Sequence, residues 1–426
     1  MKHLLTIIRA ILLFTACSKD DDSPSTPPEP EPARRTVIVY MVGENNLDPY
    51  MQNDINEMRQ GRKQVAASEN LVLYVDKLSK TEMPFIAKIN TDGNLDTLYR
   101  YEQDFYSSDP DNMIDVIDRI YQMCPAKEDY GLVLWGHASG WLMEDSVATR
   151  RGYGIDTGDN ELRTYFDERS KESLLKGKWL NIPSMQEAFK MLPMKWKFIM
   201  CDCCNMMNVE DGYELRDVTD YLIGSPAEIP GNGAPYNTLV PTLFLHTENF
   251  YQAVIDAYAD HYYNLYSSYP GIYYPVPLSV IKTSEMEALA EATRPLLSRI
   301  NEYVNNESNL MDRHIYYNNT YVDGKRKHIM FDVREVVRKA FANEPSKYEN
   351  WYQVFQRAVP YNRIAEMWQT DSFIKINFND FTVTDDYFSG VSMFFPMEQY
   401  GTEEWSCNKA IKKMSWYYAV GWPSLD

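Results

Sequence analysis

Three cysteines fall within positions 201–204, at the end of the apolar run "KFIMCDCC", in a chain with six cysteines in all. A thiol becomes a strong nucleophile once it loses its proton. A neighbouring imidazole can take that proton or stabilise the thiolate. His137 stands one residue beyond another apolar run, "YGLVLWG" (130–136), in a turn-rich segment. If both runs are neighbouring strands of one sheet, imidazole and thiol converge at the same sheet edge. Side chains alternate along a strand, so Asp202 and Cys204 share a face while Cys203 points away. That phase selects Cys204 as the candidate nucleophile. Cys201 and Cys203 are left as small apolar fillers. Asp202 lies roughly 6–7 Å along the strand from Cys204, about one peptide side chain away, and could hold a guanidinium while the thiolate attacks. Alone, a histidine after a strand or a cysteine cluster at a strand end serves packing more often than catalysis. Both together, with an acid in phase, bring the catalytic reading level with the structural one.

The elements that must position these groups alternate between short β-branched runs and longer amphipathic ones. Strands are expected at 36–42, 71–76, 130–136, 197–201 and 220–225, with a hairpin at 85–100 around Asp92-Gly93. Helical spacing runs through 112–123. Ser184 and Glu187 have the spacing of a capping box opening a helix over 184–192. Later helices are expected near 249–266 and 284–303, and strands at 328–333 and 390–396. The rhythm implies an α/β fold with a mostly parallel sheet sandwiched between helices, whose ligand-binding residues lie beyond the carboxyl ends of the strands. His246 and His261 fall in or near helical stretches, His314 in a polar segment, and His328 at the start of an apolar strand.

The N-terminus sets the compartment. Lys2 precedes an apolar stretch over 4–16 that ends in Phe14-Thr15-Ala16-Cys17, too short for a comfortable membrane span. It resembles a bacterial lipoprotein signal in which Cys17 receives the lipid. Ser18-Lys19-Asp20-Asp21-Asp22 resembles the acidic surface-export tag of Bacteroidetes lipoproteins. The expected organisation is a signal peptide over 1–17 and a Pro/Asp-rich tether over 18–35, which cannot bury a core. A catalytic core over 36–240 and a C-terminal α/β extension over 241–426 follow. Beyond Cys17, five cysteines with three crowded together make no disulfide framework, and none has zinc-like spacing. A formal net charge of −19 disfavours nucleic acid and anionic membrane surfaces as partners and favours basic peptides. Membrane attachment would run through the N-terminal lipid alone.

With those residues in place, the chain resembles the clostripain-like cysteine peptidases, relatives of caspases and gingipains, over most of 36–426. "TVIVYMVGENNLDPYMQNDINEM" (36–58) resembles the family's opening strand and its "N-N-L" loop, and "LWGHASGW" its W-G-H-G-S-G-W. "CDCCNMMNVE" is similar to F-D-A-C-L-M-x-x-x-E, and "GSPAEIPGNGAPY" (224–236) to the loop that helps line the S1 pocket. The resemblance implies a caspase-like fold and an endopeptidase with His137 and Cys204 as catalytic dyad. It implies Asp202 as an S1 acid and a preference for Arg or Lys at P1. It also implies an oxyanion hole from the backbone N–H groups of Ala138 and Cys204, and self-cleavage in 143–178, with Arg150-Arg151 the most obvious site. Calcium is an option in the family, and no cofactor is required by the chemistry.

Two residues depart from the pattern. Ala138 replaces a glycine and would be strained at φ > 0. Asn232 stands where a second S1 acid often lies. Ala138 keeps open a rival reading, an inactive homologue serving as a surface binding module. A glycan-binding lipoprotein, suggested by 32 Tyr and 9 Trp, is a further alternative, although aromatics scattered through strands and helices suit core packing better.

Overall fold

A computed structural model describes residues 31–79, 81–142, 152–156, 178–270, 272–306, 311–322, 325–370, 377–378, 383–402 and 406–425. The chain divides into two units, Met1–Glu31 and Pro32–Asp426, and only residue 31 of the first is described.

The central sheet is built from β1 (Ala33–Gly43), β2 (Asn70–Lys77), β3 (Phe85–Ile89), β4 (Leu95–Arg100), β5 (Ala126–Trp135), β8 (Trp196–Asp202), β9 (Tyr221–Gly224), β10 (Leu278–Lys282) and β13 (Tyr361–Arg363). Their order is β13-β10-β9-β8-β5-β1-β2-β3-β4. The five central strands, β9 to β2, run parallel, and the strands outside them are antiparallel. Smaller pairings join β6 (Tyr153–Asp156) to β7 (Lys178–Leu180), β14 (Gln369–Thr370) to β15 (Asn377–Phe378), and β12 (Lys325–Asp332) to both β11 (Tyr316–Val322) and β16 (Ser392–Met393).

Continuous apolar runs are buried on both faces, as a helix-covered parallel sheet requires. Ile38, Tyr40, Leu132, Leu134, Ile199 and Cys201 face a core that also buries helix α2 (Pro110–Met123). Their neighbours Val37, Val39, Val133, Trp135, Phe198 and Met200 face the opposite core, with α1 (Asp48–Arg62) and the helices Tyr236–Leu243 and Phe250–Ser268. The segment after 240 adds β10 and β13 to this same sheet.

Three local expectations are corrected. The helix assigned to 184–192 spans Ile182–Lys190, with Asn181 at its N-cap and a proline in its first turn, so Ser184 lies inside it and caps nothing. Proline suits that first turn because its missing N–H would be unpaired there anyway. The helix assigned to 284–303 is broken into Met286–Thr293 and Leu297–Val304 by a tight turn at Arg294–Leu296, where Pro295 has no N–H to continue the ladder. The strand assigned to 390–396 pairs only over Ser392–Met393.

Burial also fixes one electrostatic property of the core. Asp54 of α1 is fully buried and accepts a hydrogen bond from Trp135 Nε1 at 2.7 Å. Burial first, then the charge of Asp202, pushes its carboxyl from 3.8 to about 8. The folded protein therefore keeps this proton at pH values where the unfolded chain has lost it. This contribution to stability is fully present below the unfolded value and is lost as pH rises toward 8. Asp54→Asn removes the titration and can keep the indole hydrogen bond. Its melting temperature relative to wild type should rise between pH 5 and pH 9, by about 2 °C or more. Thermal melts at the two pH values check this, and an unchanging gap would contradict it.

Candidate active site

The parallel register of β5 and β8 places Trp135 opposite Asp202. His137 and Cys204 each lie two residues beyond that pair, at the same carboxyl edge of the sheet. The two exits are tied by Gly136 N–H donating to the Asp202 carbonyl at 3.5 Å. β8 ends at Asp202, so Cys204 occupies the turn after the strand rather than a strand position. The alternation nevertheless holds for its neighbours. Cys201 and Cys203 are buried in one core, while Asp202 points to the face of Tyr236 and Tyr258. All five described cysteines are free thiols, so no 203–204 bridge forms.

Beyond Cys204 the chain turns back through Asn205, at φ +60°, a conformation that Asn tolerates better than most residues. Asn205 N–H donates to the Ala227 carbonyl at 3.0 Å, and Met207 N–H to the Ser225 carbonyl at 3.1 Å. These bonds lay the loop after β9 against the thiol. The Ile229 N–H then donates to Cys204 Sγ at 3.4 Å. Burial, followed by the nearby charge of Glu228, pushes the Cys204 thiol up to about 12. Burial alone lowers the His137 imidazole to about 4. Both shifts favour the uncharged form, a thiol at Cys204 and a neutral imidazole at His137.

His137 is held on two sides. Its carbonyl accepts from Gly154 N–H of β6 at 2.8 Å, and its Nε2 meets Asn46 Oδ1 at 2.6 Å. Ala138 pairs with Tyr153 in an isolated bridge. Ala138 is absent from the non-glycine residues with positive φ, so its side chain meets no backbone penalty. In this turn the positive φ values fall on Gly136 and Gly140.

Asp202 is almost fully buried, and its carboxylate is surrounded by donors. Oδ2 accepts from Tyr236 OH at 2.7 Å and Ala234 N–H at 3.1 Å, and Oδ1 from Tyr258 OH at 3.0 Å. Burial raises its pKa while these three bonds lower it. The loop wraps so closely that a Cβ on Gly233, at φ +61°, would lie 2.8 Å from Asp202 Oδ2. Tyr262 OH holds the Gly233 carbonyl at 2.7 Å. Asn232, at the tip of this loop, is exposed.

The profile of the Clostripain family matches residues 39–425. The chain belongs to that family. In three dimensions it is similar to a secreted C11 cysteine protease from Bacteroides thetaiotaomicron solved with an irreversible peptide inhibitor. That likeness has 28% identity and a TM-score of 0.73, over 92% of this chain and 100% of that one. An inactive zymogen C11 protease from Parabacteroides distasonis shares the fold at 24% identity and TM-score 0.67, over 92% of this chain and 99% of that one. No curated protein matches. The protein is thus a cysteine protease with the caspase-like arrangement of a mostly parallel sheet between helices.

Within this peptidase the remaining described histidines have other contacts, His261 packing edge-on against Tyr262 with ring centroids 5.0 Å apart. His246 Nε2 pairs with Glu69 at 2.9 Å, His314 Nε2 bonds Tyr303 OH at 2.9 Å, and the His328 ring stacks on Tyr316 at 3.7 Å. Arg150, Arg151 and Cys17 lie outside the described residues. The one described set of three acids close enough to share a cation is Glu44, Asp76 and Asp156, with oxygens within 4.8 Å of one another. Ser107 Oγ donates to Asp76 at 2.6 Å, Ser107 N–H donates to Asp156, and Glu44 hydrogen-bonds Asp156. Ser107 and the Glu44–Asp156 hydrogen bond brace these acids, and no cation is assigned to them.

The sequence motifs flagged the "N-N-L" loop without giving Asn46 a role. Tyr236 closes the flagged 224–236 loop without having been given a role there, and Tyr258 carried no signal; they lie 34 and 56 residues further along the chain than Asp202.

Proposed function

We propose that the peptidase cleaves peptide bonds with Cys204 as nucleophile and His137 as its proton partner. The observation that carries this reading is the β5–β8 register, with Trp135 opposite Asp202 and a reacting group two residues past each. As Sγ attacks the scissile carbonyl, its proton passes to the neutral imidazole and an S–C bond forms. The oxyanion is received by the backbone N–H groups of Cys204 and Ala138. The imidazolium then protonates the leaving amine, the C–N bond breaks, and a thioester remains. Water, deprotonated by His137, hydrolyses the thioester and restores the thiol. A desolvated neutral pair favours proton transfer in step with attack over a standing ion pair.

The specificity reading is a preference for Arg or Lys at P1, with Asp202 as the S1 acid. Its carboxylate already accepts three hydrogen bonds, and Asn232 adds no charge, so the preference is expected to be modest. A P1-varied peptide library tests it on wild type, Asp202→Asn and Tyr258→Phe. Asp202→Asn should lower kcat/KM for Arg and Lys by roughly tenfold to a hundredfold, the worth of one or two charge-assisted bonds, and leave a norleucine reference nearly unchanged. Tyr258→Phe removes a donor from Oδ1 and should raise the Arg-to-norleucine ratio. A wild-type profile dominated by apolar or acidic P1 residues would overturn this part.

The N-terminal reading is a lipid on Cys17 that tethers a secreted peptidase to the outer membrane, facing outward. Among the described residues, no helix is long and apolar enough to cross a membrane.

A further inference from the structure

We infer that Asn46 is the positioning residue of the dyad: its amide oxygen holds His137 by Nε2–H and thereby makes Nδ1 the nitrogen that takes the thiol proton.

The contact is Asn46 Oδ1 to His137 Nε2, 2.6 Å, between residues 91 positions apart. An amide oxygen can only accept, so Nε2 carries the hydrogen. In a neutral ring the lone pair is then on Nδ1. The loop that presents Asn46 is not free to drift. Asn45, fully buried, donates from Nδ2 to the Val42 carbonyl at 3.0 Å and to the Ile155 carbonyl at 2.9 Å, and accepts from Leu47 N–H at 2.9 Å. Ile155 belongs to β6, the strand whose Gly154 N–H holds the His137 carbonyl. β6 itself is pinned by Tyr153 OH, which donates to the carbonyls of Tyr40 at 2.9 Å and Trp135 at 3.1 Å. One short strand thus sets the His137 turn and the Asn46 loop at a fixed separation. The acceptor and the ring meet without either having to be ordered at the moment of reaction.

The choice of an amide has a chemical consequence. A carboxylate at this position would stabilise the imidazolium, whereas a neutral oxygen orients the ring without charging it. The titratable groups on the surrounding segments are Glu44 on the same loop, Asp156 on β6, and Cys204 and Glu228 beyond the ends of β8 and β9. None contributes to the shift of His137, whose cause is burial alone. Asn46 therefore preserves a neutral base beside a neutral thiol.

This inference rests on His137 being the base. Its test uses pH profiles of the full-length active protein on a peptide substrate, together with nitrogen NMR of the histidine ring. Asn46 is only partly buried, so its substitution spares the anchor at Asn45. Asn46→Ala should lower kcat by about a hundredfold with KM within about threefold, the effect of a misplaced base. Asn46→Asp should keep kcat within about tenfold of wild type and move the acid limb of kcat/KM up by about one to three pH units. The ring of the wild-type protein should show hydrogen on Nε2. Asn46→Ala at the wild-type rate, an unmoved acid limb in Asn46→Asp, or a ring with hydrogen on Nδ1 would each overturn the assignment. Full activity in His137→Ala would instead sink the dyad itself.

Discussion

Cys204→Ala and His137→Ala should each reduce peptide hydrolysis by roughly four to six orders of magnitude, to the level of the uncatalysed background plus whatever oriented binding supplies. The expected size follows from the chemistry. Without Sγ no acyl-enzyme forms, and without the imidazole a thiol held at about 12 has no acceptor for its proton. The two losses should not add, because thiol and base act as one unit, and the double variant should be about as inactive as either single one. Cys201→Ala and Cys203→Ala should keep most activity, since both side chains are buried in the core. Initial-rate assays on folded, reduced proteins separate the three inactive variants from the two active ones. An active Cys204→Ala beside an inactive Cys203→Ala would show that the nucleophile is misassigned.

The second large effect is on the chain itself. Between His137 and Cys204 the stretch 143–178 is long and polar in sequence apart from the buried strand β6 (Tyr153–Asp156), and Arg150 and Arg151 lie just before that strand. Polar connections of this length are commonly exposed and open to proteolysis. A peptidase that accepts Arg at P1 is expected to cut itself there, giving two fragments that stay together, one with His137 and one with Cys204. The sheet explains the association: β5 and β8 lie on opposite sides of the cut yet are hydrogen-bonded neighbours. Purified Cys204→Ala should remain a single chain, and an Arg150→Ala, Arg151→Ala double variant should be cut slowly or elsewhere. The same terminus appearing in Cys204→Ala would assign the cut to another protease. An intact, fully active wild type would show that processing is unnecessary.

Much of the fold was legible because its central strands are continuous apolar runs that no other element uses. β1 and β5 are recognisable from their Val, Ile and Leu and β8 from Phe198-Ile199-Met200, and the catalytic candidates follow because both sit just past such runs. β8 stops at Asp202, so the strand alternation behind the choice of Cys204 over Cys203 does not reach Cys204 itself, although Cys203 is buried in the core. What sequence could not give is contact between distant segments. Asn46 and His137 meet only because β1 and β5 are adjacent and β6 spans both exits. The Asp202 network depends on Tyr236 and Tyr258, whose hydroxyls look like ordinary helix aromatics in the sequence. The concern over Ala138 also dissolves in three dimensions, because positive φ falls on the glycines either side of it. The break in the 284–303 helix was readable in principle from Pro295, which interrupts an otherwise helical pattern.

The most direct test of the central claim is covalent capture of the thiol by a peptidyl acyloxymethyl ketone with Arg at P1, followed by mass mapping of the labelled peptide. The wild-type protein, folded and reduced, should gain one adduct, on Cys204, at a rate that falls sharply in His137→Ala. No adduct on the folded wild type, or an adduct on Cys203 or Cys201 in place of Cys204, would contradict the account and favour a peptidase homologue that binds at the surface without cutting.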